Sequence, residues 1–221
     1  MKKILFFVIW FALLAIVPVT VFKTTSWEMA TIYPVTFMNF LQRISGLSLF
    51  ILLFVQIILG AFMKKWEEKM GGWVFNFHIF EGRLIYFLAV LHPIFFILFN
   101  HFVGSGLDVY KAFVNICLLC KYPIDYYYTL GRLAFWLLTL AVMAAVFRSK
   151  TPWLIKHWRK MHVLNYVVFL LVGAHGFLLG SDFKVIPFYA FAVPASSIIA
   201  GIVVFIELPK FFNKFKNWVR T

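Results

Sequence analysis

Apolar residues gather into six long blocks along this 221-residue chain, at about 4–22, 44–63, 79–99, 129–147, 162–180 and 187–206, and the shorter stretches between them hold most of the charge. A helix needs about 20 mostly apolar residues to cross the hydrocarbon of a bilayer, so each block predicts one span. The expected fold is an all-α integral membrane protein, a bundle of six transmembrane helices. Composition supports that class: 63% of the residues are apolar and 13% charged, and the mean hydropathy is +0.91. Such figures exclude a soluble domain whose helices keep a polar face.

The net charge of +13 would suit a nucleic-acid binder, but its distribution points to the membrane surface. With both termini cytoplasmic, fourteen Lys and Arg fall on inner segments, namely Lys2, Lys3, Lys64, Lys65, Lys69 and the clusters at 148–160 and 210–220. Six fall outside: Lys23, Arg43, Lys111, Lys121, Arg132 and Lys184, with Arg83 left inside a block. This is the positive-inside bias of an even number of spans. The expected setting is a prokaryotic plasma membrane, with anionic lipid as a surface partner and no nucleic acid.

Lys2 and Lys3 ahead of an apolar run also match a signal sequence. No small-x-small cleavage site follows in KTTSWEMA, and a retained first helix is expected. The final residues, ELPKFFNKFKNWVRT, read as a basic, aromatic segment at the inner interface. There is no glycine-rich nucleotide fingerprint and no P-loop. The longest connection, about 100–128, contains AFVNICLLC, too short to span and expected at the outer interface. Cys117 and Cys120 form a CxxC there; an outward dithiol relay lacks a thioredoxin-like surround, so apolar packing or a structural disulfide is expected.

Four histidines carry the chemistry. A polar ring inside a membrane helix is costly without a partner, which makes each a functional candidate. His78 and His92 are fourteen residues apart, close to four turns, so they share a face about 21 Å apart along the axis. His162 and His175 are thirteen apart, about 19 to 20 Å of rise but only about 3.6 turns. In an ideal helix that second pair faces two ways, and helix tilt or a π-bulge near Gly173 is needed to align it. Both helices start from the inner side, so His78 and His162 share an inner level and His92 and His175 an outer one. Two histidines at each of two depths suit two haems with imidazole on both faces, an arrangement that favours electron transfer over oxygen binding. Rings bonded to neighbouring helices, or a proton relay in a non-haem transporter, satisfy the same pattern.

The segments HIFEGRLIYFLAVLHPI and WRKMHVLNYVVFLLVGAHGFLLGSD resemble the ferric-reductase-type transmembrane domain shared by ferric reductases, NADPH oxidases and the haem subunit of bacterial methionine sulfoxide reductase systems. QRISGLSLFILLFVQIILG and YTLGRLAFWLLTLAVMAAVFRSK are similar to that family's second and fourth helices, and the resemblance covers about 40–206. It implies two b-type haems between the third and fifth helices, with His78 and His162 on the inner haem iron and His92 and His175 on the outer. Ferric reductases and NADPH oxidases continue into a flavin and nicotinamide domain that this sequence does not show, so no flavin is expected on the chain itself. The implied donor is a separate flavoprotein or quinol, and the implied acceptor is ferric iron, a partner reductase or oxygen. The methionine sulfoxide branch resembles the chain in length and gives the alternative of a haem subunit for a periplasmic reductase.

Haem propionates are anionic and an arginine fork can hold a carboxylate at two points. Arg43 and Arg132 are candidates for the outer haem, with interfacial snorkelling as the other reading. Arg83, five residues past His78, is the candidate for the inner haem, with Glu81 as an alternative partner. His101 and His157 are expected to be interfacial and outside the haem set.

Overall fold

A computed structural model describes residues 1–209; the 210–220 basic cluster and most of the aromatic tail lie outside the described residues. Ten α-helices follow in order: α1 Lys2–Val21, α2 Trp27–Thr31, α3 Pro34–Ala61, α4 Met63–Met70, α5 Trp73–Phe102, α6 Val109–Phe113, α7 Pro123–Val146, α8 Pro152–His162, α9 Leu164–Leu179 and α10 Phe188–Ile202. A 3-10 turn at Ser181–Lys184 and a π turn at Val203–Glu207 flank α10, and no strand occurs among the described residues. Six helical stretches are long and apolar enough to cross a membrane: α1, α3, α5, α7, α8 with α9, and α10 with its π turn.

Local chemistry sets the ends. Pro34, Pro123 and Pro152 occupy first-turn positions of α3, α7 and α8, where the missing N–H costs nothing. Thr151 accepts from Leu154 N at 3.1 Å to cap α8, and Gly71 ends α4 at φ +96°, a conformation that favours glycine. Helix α3 begins ten residues before the apolar block expected at 44, because Thr36, Asn39, Gln42 and Arg43 dilute hydropathy over its first three turns without breaking the helix.

Helices α3, α5, α7 and α9 form a four-helix ring. Long antiparallel contacts join α3 to α5 and α7 to α9, and shorter ones join α3 to α9 and α5 to α7. Helix α5, which carries His78 and His92, and α9, which carries His175 and follows His162 at the end of α8, therefore stand on a diagonal of the ring. Helices α1 and α10 pack outside, α1 on α3 and α10 chiefly on α9. A phenylalanine cluster locks the α3, α9 and α10 side: Phe50 lies 4.7 Å from Phe169 and 5.2 Å from Phe183 between ring centres, and Phe183 lies 4.8 Å from Phe188.

The fifth span corrects one expectation. Helix α9 runs unbroken past Gly173, and no π-bulge forms there; the break falls at Val163, directly after His162. Tyr166 N bonds to Val163 O at 3.1 Å, an i to i+3 turn that winds more tightly than an α-helix. This break changes the angular relation of His162 to His175, which uninterrupted α-helical geometry sets on different faces.

Candidate functional site

At the inner level, taken as the lysine-rich side where α5 begins and α8 ends, the rings of His78 and His162 lie 6.2 Å apart with planes at 74°. The Gln56 amide on α3 donates to His78 O at 3.0 Å and lies 3.4 Å from His78 Nε2. Asn165 Nδ2 is 3.4 Å from His162 Nδ1. Glu81, one turn after His78, is fully buried and accepts from Trp10 Nε1 on α1 at 2.7 Å. Glu81 is thereby engaged with Trp10, and Arg83 is exposed and outside any ion pair among the described residues.

The outer level is built on backbone. His92 Nδ1 is 3.0 Å from Gln42 O and 3.2 Å from Ser45 Oγ, and His175 Nδ1 is 2.8 Å from Tyr127 O. A carbonyl oxygen only accepts, so each Nδ1 carries its proton and donates, which leaves each Nε2 with a free lone pair. A backbone acceptor on one ring nitrogen is what fixes the tautomer and orientation of an imidazole that ligates a metal through the other.

Glycines permit both contacts. A Cβ on Gly46 would stand 2.8 Å from His92 Cε1, and one on Gly131 would stand 2.9 Å from both Cε1 and Nδ1 of His175. On α3, Gly60 faces His78, where an added Cβ would meet Cε1 at 3.4 Å. Gly46 and Gly60 are fourteen residues apart, as are His92 and His78 on the antiparallel neighbour. That matched spacing was the sequence signal for a histidine on each glycine, and reading the histidines alone misses it. Gln42 and Tyr127 stand one turn before Gly46 and Gly131, so carbonyl and glycine repeat as a unit on α3 and α7.

The arginines divide. Arg43 forks onto Asp182, Nε to Oδ2 and Nη2 to Oδ1 both at 2.6 Å, and donates to Thr25 Oγ1 at 2.6 Å and to Thr24 Oγ1. This ties α3 to the α9–α10 connection and commits its donors within the protein. Arg132, 5% exposed, follows Gly131, donates to Asn115 O and lies over the Tyr128 ring at 5.8 Å. It is a buried cation beside His175. The outer connection folds against α7 through that bond, Trp136 Nε1 to Phe113 O at 2.8 Å and Cys117 N to Thr129 Oγ1 at 3.2 Å. Cys117 and Cys120 are joined as a disulfide. His157 is half-buried, stacks on Trp153 and bonds to its carbonyl, while His101 is exposed beside Phe102; neither joins the two levels.

The inner pair meets the spacing that two imidazoles on one haem iron would require. An iron held by two imidazoles has each nitrogen at about 2 Å, and the ring centres, each roughly 1 Å beyond, come to about 6 Å apart. The inner pair stands at 6.2 Å. None of the four rings is sealed by packing; each is half-buried. No group of three or more His, Cys, Asp or Glu gathers for an ion among the described residues, but a bis-imidazole haem asks the protein for only two ligands.

Among its described residues the chain is thus all-helical, with six helices long and apolar enough to span a membrane and two levels of histidines. No protein-family model, curated protein or solved structure matches the chain.

Proposed function

We propose that the chain is a di-haem cytochrome b that moves single electrons across the membrane. His78 with His162 would hold the inner haem, and His92 with His175 the outer. Two b-type haems bound there would supply one-electron carriers at levels about 20 Å apart along the helices. The observation that carries this reading is the outer pair: each Nδ1 faces a backbone carbonyl, which leaves each Nε2 lone pair available to a ligand. The Gln42 and Tyr127 carbonyls fix ring orientation, and Gly46 and Gly131 let the rings lie close to α3 and α7. Arg132 supplies positive charge for the outer propionates. Arg43, already on Asp182, supports the level rather than the ligand, and Arg83 remains the cation for the inner propionates. Electrons enter on the lysine-rich, cytoplasmic side from a flavoprotein or quinol and leave outside to ferric iron, a partner reductase or oxygen.

A second reading, the haem subunit of a periplasmic methionine sulfoxide reductase system, differs in the acceptor. Leu118 and Leu119, 80% and 95% exposed between the disulfide cysteines, favour it by offering apolar surface to a partner on the outer side.

The test is haem stoichiometry. Purified, fully loaded protein should show a reducible b-type spectrum and approach two haems per chain, with His92→Ala or His175→Ala removing one. Saturation at one haem refutes the two-site arrangement. A protein that binds none returns the histidines to a proton relay or transporter.

A further inference from the structure

A groove of about 560 Å³ lies between α1, α3 and α4 on the lysine-rich side. Leu5, Ile9 and Trp10 of α1 form one wall, Phe54 and Ile58 of α3 the other, and Trp66 of α4 closes the end. Lys2 and Lys69 stand in its lining, drawn to one edge because Lys2 Nζ donates to the Lys69 carbonyl at 3.0 Å. Glu67 and Glu68 share α4 but do not line the groove.

The groove exists because the inner half of α1 is underpacked. Of the helix's buried residues, Val17, Thr20 and Val21 are in its outer part and only Trp10 is in the inner half. Phe6 and Phe7 hold that half to α5 through Trp73 and Phe77, while on the α3 side it stands off. An apolar slot with two lysines, Lys2 and Lys69, at one end matches an amphiphile with an anionic head. Basic pockets between transmembrane helices on the cytoplasmic side take such headgroups. A neutral quinol head leaves Lys2 and Lys69 unmatched.

We propose that this groove is a binding site for one anionic phospholipid, an acyl chain lying along Ile9, Trp10 and Ile58 and the phosphate meeting Lys2 and Lys69. The lipid fills the gap between α1 and α3 and keeps Trp10 in place on Glu81, so occupancy stabilises the side of the bundle that carries His78. The site stands independently of whether haem is bound.

The experiment uses the full chain, delipidated in detergent, with phosphatidylglycerol or phosphatidylcholine of matched chains carrying a photoactivatable group on one acyl chain. Native mass spectrometry should show one phosphatidylglycerol retained in preference to phosphatidylcholine, with adducts confined to peptides spanning 5–13 and 54–59. Lys2→Gln and Lys69→Gln should each weaken retention by about five-fold, since a lysine near an anionic lipid contributes about that factor. Ile9→Trp, at a position 52% exposed on the groove wall, should abolish the adducts without touching the core. Equal retention of the two lipids with adducts spread over all lipid-facing helices would overturn the proposal in favour of a non-specific lipid belt. Displacement of the labelled lipid by a short-chain quinone, with the lysine variants behaving as wild type, would overturn it in favour of a neutral headgroup.

Discussion

Adding one methyl group at Gly46, Gly131 or Gly60 should separate the outer site from the inner one. At Gly46 the new Cβ stands 2.8 Å from His92 Cε1, and at Gly131 it stands 2.9 Å from two atoms of His175. Carbon contacts settle at about 3.5 to 4.0 Å, so each ring must retreat by roughly 0.7 Å. That shift is large beside an iron–nitrogen bond of about 2 Å, and the Nδ1 tethers to Gln42 and Tyr127 resist it. Overpacking of this kind costs about 1 to 3 kcal/mol, so Gly46→Ala and Gly131→Ala should weaken binding of the proposed outer haem by about 5- to 150-fold or leave it high-spin. At Gly60 the Cβ meets His78 at 3.4 Å, an ordinary contact, and Gly60→Ala should bind haem as wild type does. Alanine is also the better helix former by about 1 kcal/mol, so a weakened site in a chain that melts normally cannot be ascribed to unfolding. Haem titration of the apoprotein, read in the Soret band and by electron paramagnetic resonance, makes the measurement. Two low-spin haems of wild-type affinity in Gly46→Ala and Gly131→Ala, or equal loss in Gly60→Ala, would refute the assignment of Nε2 as ligand.

Three further outcomes are expected. Arg132→Leu should lower retention of the proposed outer haem or shift its potential, because propionates held there would lose a buried cation; unchanged titration and potential would leave Arg132 a structural tie to Asn115. Asp182→Ala should destabilise the protein by about 3 kcal/mol, since it leaves the Arg43 fork without its carboxylate, and thermal unfolding of Asp182→Ala with Arg43→Met should recover part of that loss. Trp10→Phe removes the donor to buried Glu81 and should cost about 1 to 3 kcal/mol, measured in the same unfolding assay, with Glu81→Gln in the Trp10→Phe background restoring part of it.

The six helices were legible because hydropathy over about twenty residues is a long, redundant signal, and the error it left at α3 came from four polar residues in the first turns. The two histidine levels were legible from spacing and direction alone. The break at Val163 was not, because no glycine or proline marks it and the turn depends on local winding after His162. Arg43 and Asp182 are 139 positions apart; their pairing follows from the packing of α3 beside the α9–α10 connection, which one sequence does not encode at any local period. The same applies to Trp10 and Glu81. Gly46 and Gly60 were visible throughout, but their meaning needs a partner helix in antiparallel register.

The two levels differ in a way that bears on the choice between electron and proton transfer. A histidine that relays a proton must accept at one ring nitrogen and release from the other. At the outer level His175 Nδ1 donates to a backbone carbonyl, a group that cannot take the proton onward, so a relay through that ring meets a dead end, whereas His92 Nδ1 also lies 3.2 Å from the Ser45 hydroxyl. At the inner level the buried polar atoms are under-satisfied: among the described residues Gln56 Oε1, His78 Nδ1, Glu81 Oε2 and Asn165 Oδ1 have no partner, and all four belong to residues in or beside the inner pair. Unmet capacity of that kind is where water or a ligand's polar groups are drawn in. If the proposed di-haem reading holds, proton exchange linked to electron uptake is expected at the inner level, near Glu81.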